Sequence, residues 1–185
     1  MNKFILGMTL SLGLFISLIP YPSLGIEQKS ERTFFRKSPR LLDVITTFKG
    51  ARITIPTYYY TINLPDQSGE SLQKITIQKR QGFEIIEYYP NRTIAFQGTP
   101  DDRGQPLTVK ESIWDETTET MTVILSPPVP PGTTFTVGLK AIRNPEHGGI
   151  YLFGVNVFPS GENPMNLYLG SGRLDFYGSD SGSFD

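Results

Sequence analysis

Between residues 133 and 140 the chain alternates without a break, with Phe135, Val137 and Leu139 set between Thr134, Thr136, Gly138 and Lys140. Successive side chains of a strand point to opposite faces, so this stretch predicts a strand with one core face and one wet face. The same period sets Ile75 and Ile77 against Lys74, Thr76 and Gln78, and Leu174 and Phe176 against Arg173, Asp175 and Tyr177. Tyr151, Phe153, Val155 and Val157 share a face in the same way. Further strand candidates are Ile53 to Leu64, interrupted by Pro56, then Phe83 to Tyr89, Arg92 to Phe96, Leu107 to Trp114 and Thr120 to Leu125. Gly and Pro punctuate them at short intervals, which gives about eight or nine strands at sandwich spacing. Only Arg40 to Phe48 and Gln67 to Leu72 could start a helix, too little for the crossovers of a parallel sheet. The pattern predicts an all-β, immunoglobulin-like antiparallel β-sandwich.

Lys3 precedes an almost unbroken apolar run from Phe4 to Ile19, which Pro20 and Pro22 close before Ser23-Leu24-Gly25. A short basic region, an apolar stretch and small residues one and three positions before a cut form a signal peptide. The run falls short of the roughly 20 apolar residues of a membrane span, so no stable span is expected once the signal is removed. The expected organisation is a signal peptide at 1–25, an N-terminal arm at 26–48, a sandwich at 49–177 and a disordered tail at 178–185.

The absence of cysteine excludes a disulfide scaffold, a thiolate metal site and a cysteine nucleophile. With 17 basic and 18 acidic residues the surface is close to neutral, and no nucleic-acid partner is expected. The densest basic group, Arg32, Arg36, Lys37 and Arg40, follows the presumed cut. It reads either as a solvated arm or as a contact for anionic lipid or polymer.

Pro127-Pro128-Val129-Pro130-Pro131-Gly132 sits between two patterned strands and reads as a stiff crossover rather than a polyproline ligand. His147 is the only histidine. It is the weak candidate for a metal ligand, against the plainer reading of an exposed turn histidine, because metal centres gather several His or Cys ligands. Asp101 and Asp102 read as a hairpin turn rather than a calcium loop. No nucleophile elbow, P-loop or dinucleotide fingerprint appears, and no catalytic residue or cofactor is expected. A carboxylate pair for hydrolysis depends on a separation that sequence does not give. Tyr58, Tyr59, Tyr60, Tyr88 and Tyr89 are the candidate ligand-binding residues, since alternation sends at least one ring of each cluster to the other face. Cross-strand aromatic pairing is the structural alternative for the same rings.

Ser38-Pro39-Arg40-Leu41, the segment Gly69 to Ile77, Ala95-Phe96-Gln97-Gly98, Pro127 to Leu139, Arg143-Asn144-Pro145, Tyr151 to Val155 with Phe158 to Gly161, and Leu169-Gly170 with Gly172-Arg173-Leu174 follow one another along the chain. In that order they resemble a cyanobacterial family of exported proteins known as a domain of unknown function, number 2808. The resemblance spans nearly the whole chain after the signal. It implies a cyanobacterial source and a periplasmic, thylakoid-lumenal or extracellular location, and it brings no activity, cofactor or site residue. The expected function is a non-catalytic binding or structural module for an envelope polymer or protein. A periplasmic metal-handling module is the alternative and a carboxylate-based envelope hydrolase the third reading.

Overall fold

The computed structural model describes residues 32–178. The signal segment, the first residues of the expected arm and the tail beyond Gly178 lie outside the described residues. Among the described residues there are ten strands: β1 Arg40–Thr46, β2 Thr57–Leu64, β3 Leu72–Gln81, β4 Ile94–Gly98, β5 Arg103–Leu107, β6 Val109–Asp115, β7 Thr120–Val129, β8 Thr133–Lys140, β9 Gly149–Pro159 and β10 Leu167–Phe176. They form two five-stranded sheets, β1-β2-β8-β4-β5 and β10-β9-β3-β7-β6. Every ladder is antiparallel. The protein is an immunoglobulin-like β-sandwich.

Tyr60, Ile62, Phe135, Val137 and Leu139 of the first sheet and Ile75, Ile77, Met121, Val123, Phe153, Val155 and Val157 of the second are buried and form one core. Each large apolar side chain taken fully from water contributes about 1.5 to 3 kcal/mol, so this double inner face is the main source of stability.

Three segments depart from the sequence expectation. Arg40–Thr46, expected in the arm and a possible helix start, is the edge strand of the first sheet, paired with β2. Its Val44 lies over Gly172 of β10, where any Cβ would collide with the valine, so β1 closes one side of the sandwich. Residues 107–114, expected as one strand, divide at Thr108: Leu107 pairs with Ala95 in the first sheet and Val109 with Leu125 in the second. The chain thereby changes sheet and closes the other side. Phe83 to Tyr89, expected as a strand, is a connection that crosses one end of the sandwich and makes a single bridge, Tyr88 to Ala141. The proline-rich segment matches its expected role only in part: Pro127, Pro128 and Val129 belong to β7 in the second sheet, and Pro130 to Gly132 make the crossover to β8, which starts at Thr133 in the first.

The two outer faces are unequal. One wet face per sheet was expected. On the first sheet, however, Tyr59, Thr61, Phe96 and Thr136 are buried although they point away from the core. Arg103 from the β4–β5 hairpin accounts for part of this cover, since its guanidinium lies 4.8 Å from the Phe96 ring centre and 5.3 Å from that of Tyr59. The outer side chains of the second sheet, among them Thr76, Gln78, Thr122 and Asn156, are half-buried, and Ile113 and Tyr168 are exposed.

Candidate functional site

The tyrosines do not form a surface patch. Tyr58 and Tyr60 point inward and are fully buried, and Tyr88 is buried against Trp114, with ring centres 5.2 Å apart. Tyr59 does point away from its neighbours, as alternation requires, but Phe96 stands edge-on to it and Arg103 Nη2 donates to its hydroxyl at 2.8 Å. Tyr89 is half-buried, with the Arg92 guanidinium 5.0 Å from its ring centre. Alternation gave the directions of Tyr58, Tyr59 and Tyr60, whereas Tyr88 and Tyr89 stand on a connection and not on the expected strand. Alternation could not show that a hairpin from the next strands would cover the outer one. Desolvation pushes the phenol pKa values of Tyr58, Tyr60 and Tyr88 well above the ordinary tyrosine value, which keeps all three neutral.

The structure instead draws attention to one end of the sandwich, where residues 47–56, 82–93 and 141–148 meet. Two polar side chains tie these loops. Asn144 is buried, its Oδ1 accepting from the Tyr58 hydroxyl at 2.8 Å and its Nδ2 donating to the carbonyls of Phe48 and Gly50, each at 2.8 Å. Its backbone N–H donates to Ile53 at 2.8 Å. Glu84 accepts the N–H of Glu146 at 2.7 Å on one oxygen and that of His147 at 2.9 Å on the other, which also lies 3.0 Å from His147 Nδ1. Desolvation acts to raise the Glu84 pKa, but the hydrogen bonds from Glu146 and His147 outweigh it and hold the carboxyl below its ordinary value.

His147 is an exposed turn residue, its imidazole 79% accessible. Around it Glu146 pairs with Arg52 at 3.0 Å and with Arg143. Among the described residues no three His, Asp or Glu side chains are grouped to hold a metal ion. The loops also carry exposed apolar side chains: Ile53, Ile55, Ile85 and, at 99% accessibility, Phe83. Ile55 has φ 56° and Arg52 φ 62°. A β-branched residue at positive φ is a genuine outlier, and such strain gathers where loops are held for function.

Neither hub was singled out from sequence. Asn144 lies inside Arg143-Asn144-Pro145, one of the segments that carried the family resemblance, and Glu84 is an acid flanked by two apolar residues after Gly82. Those were the available signals.

The basic group lies at the opposite end, against the β2–β3 and β9–β10 connections. The Arg36 N–H donates to Ser68 at 2.8 Å, Lys37 Nζ donates to Gln67 Oε1 at 2.8 Å, and Thr33 bridges Pro164. Arg32, Phe34, Arg36 and Glu70 line a cleft of about 350 Å³ there. A second cleft, of about 490 Å³, lies along β4 and β5 between Ile94 and Pro106. Among the described residues no helix is long and apolar enough to cross a membrane.

The family model for protein of unknown function DUF2808 matches residues 32–176. The chain belongs to this family. The match begins before β1 and ends with β10, so it takes in the whole sandwich together with residues 32–48 of the segment expected to be an arm. The sequence has no match among curated proteins. Among solved structures the chain is similar to the collagen-binding domain of a Staphylococcus aureus adhesin, at 12% identity and TM-score 0.38, covering 74% of this chain and 97% of that one. It is also similar to the collagen-binding subdomain of the Enterococcus faecalis surface protein ACE, at 10% identity and TM-score 0.43, covering 76% and 99%. A DUF4466 family protein from Parabacteroides merdae matches at 16% identity and TM-score 0.43 over 74% of this chain and 44% of its own.

Proposed function

We propose that this DUF2808 protein is an exported, non-catalytic binding module of the cell envelope, and that the loop end tied by Asn144 and Glu84 is its ligand surface for an envelope protein or polymer. One observation carries the reading: four exposed apolar side chains, Ile53, Ile55, Phe83 and Ile85, stand on loops fixed by one buried and several half-buried hydrogen bonds. Holding such residues in water has no benefit for folding, whereas rigid loops carrying apolar anchors lower the ordering cost of binding. Export rests on Lys3, the Phe4 to Ile19 run and Ser23-Leu24-Gly25, with the periplasm, thylakoid lumen and cell exterior as the compartments such a signal serves.

The metal-handling alternative has less support. Both Glu84 oxygens already accept N–H donors, and the imidazole beside them is the chain's one histidine. A photo-crosslinking amino acid placed at Phe83, at Ile85 and, as control, at Glu116 tests the proposal in intact cells. Discrete adducts from the two loop positions and none from Glu116 are expected. Equal labelling at all three, or none, overturns the loop end as the ligand surface.

A further inference from the structure

The register of the second sheet brings five outward side chains into one row across all its strands. Tyr168 of β10 is opposite Asn156 of β9, Asn156 is opposite Thr76 of β3, Thr76 is opposite Thr122 of β7, and Thr122 is opposite Ile113 of β6. With neighbouring strands about 4.8 Å apart, the row runs for roughly 19 Å. We propose that this open face binds a neutral, hydroxyl-rich glycan chain lying across the strands, at a site separate from the loop end.

The chemistry of the row selects that occupant. Tyr168 is half exposed, and its hydroxyl is tethered to Ser171 Oγ at 2.7 Å. The ring is therefore fixed while an apolar face stays available for the C–H face of a sugar. It lies beside Gly154, where a Cβ would come within 3.2 Å of Tyr168 Cε2 and 3.0 Å of Arg80 Cγ. The missing side chain lets ring and arginine stem lie low, and Gln78, Arg80, Gly154, Asn156 and Tyr168 line a cleft of about 250 Å³.

Hydrogen-bonding capacity in the row is unspent. The side chains of Asn156, Thr76 and Thr122 make no hydrogen bond within the described residues. An amide offers two donors and an acceptor and each threonine hydroxyl offers both roles, which suits sugar hydroxyls that also donate and accept. Charge flanks the row without standing in it: Arg80 donates to the neutral amide oxygen Gln78 Oε1 at 2.8 Å, Lys74 Nζ lies 3.7 Å from the Phe158 ring centre, and only Arg173 is paired with an acid, Asp175. The row carries no formal charge for a polyanion. Its polar middle also differs from the apolar core of a protein interface. Because the side chains stand on a five-stranded sheet, little order has to be created on binding.

Affinity electrophoresis of the purified chain through gels containing hydroxyethylcellulose, dextran or alginate tests the proposal. Retardation by at least one neutral polymer is expected. Tyr168→Ala should weaken it about tenfold or more, as loss of a central aromatic anchor does. Asn156→Ala should weaken it several-fold. Thr76→Arg, which plants bulk in the middle of the row, should abolish it and decides the matter if Tyr168→Ala fails to fold. Phe83→Ala should leave retardation unchanged, so the outcome does not depend on what the loop end binds. Native mobility in both neutral gels, retardation by alginate alone, or retardation of Tyr168→Ala and Thr76→Arg equal to that of the unsubstituted protein would each overturn the proposal.

Discussion

The Tyr58 hydroxyl, inside the aromatic part of the core, donates to Asn144 Oδ1 at 2.8 Å, and the amide of the same asparagine donates to the carbonyls of Phe48 and Gly50. One buried side chain thus connects β2 of the core to the loop before it and to the loop after β8. A buried polar group is stable only while its partners are present, and Asn144 satisfies three groups at once.

Asn144→Ala leaves the tyrosine hydroxyl and two carbonyls without that partner, so it should destabilise the fold by about 3 kcal/mol, whereas Tyr58→Phe should cost nearer 1 kcal/mol. Urea melts of both single variants and the double variant check this. The shared hydrogen bond should appear as a coupling of about 1 kcal/mol, and strict additivity would mean that the two side chains act independently.

Acid should loosen the same end through Glu84. Its folded pKa lies below the ordinary carboxylate value of 4.5, so the unfolded chain binds the proton more readily as pH falls. The stabilisation is therefore complete above about pH 4.5 and fades as pH drops through the lower folded value. Denaturant melts of the native protein and Glu84→Gln over that range should converge toward acid pH. A gap that stays constant below pH 4.5 would assign the difference to packing rather than to the carboxylate.

The unequal outer faces give a second stability contrast. Phe135→Ala opens the core and should cost about 3 to 5 kcal/mol. Thr136, on the opposite side of the same strand, is fully buried, 3.0 Å from Thr61 Oγ1 and 2.7 Å from the Gly98 carbonyl. Thr136→Ala should therefore cost about 1 to 3 kcal/mol, while Thr122→Ala on the open face of the second sheet should stay within about 0.5 kcal/mol. Thermal or urea melts of the three variants test the order. Equal effects of Thr136→Ala and Thr122→Ala would mean that the first sheet is no better covered than the second.

Much of the sandwich was legible because alternation is local. Phe135, Val137 and Leu139, Ile75 and Ile77, and Tyr151 to Val157 can be placed on their inner faces from neighbours two positions away. The strand at Arg40–Thr46 was not legible, since only Val44 is buried there and the complement it needs is Gly172, far along the chain. The site was less legible still. Sequence identified aromatic residues but not what would cover them, and it passed over Asn144 and Glu84 because their importance comes from partners on other loops. His147, the eye-catching residue, proved to be an exposed neighbour of the hub beside it.

The closure of the sandwich by β1 provides the last prediction. Gly172 accepts Val44 only because it has no side chain, since a Cβ there would overlap the valine. Gly172→Ala should therefore strain the contact between the two sheet edges and destabilise by about 1 to 3 kcal/mol, the usual range for overpacking. Val44→Ala alone should also be unfavourable, because it uncovers part of the core. Combined, the two changes exchange volume across the same contact, and the double variant should be more stable than the sum of the single losses predicts. Urea melts of the four proteins give the coupling directly. Simple additivity would show that β1 and β10 do not press on each other at this point, and the edge strand would then be held by its ladder to β2 alone.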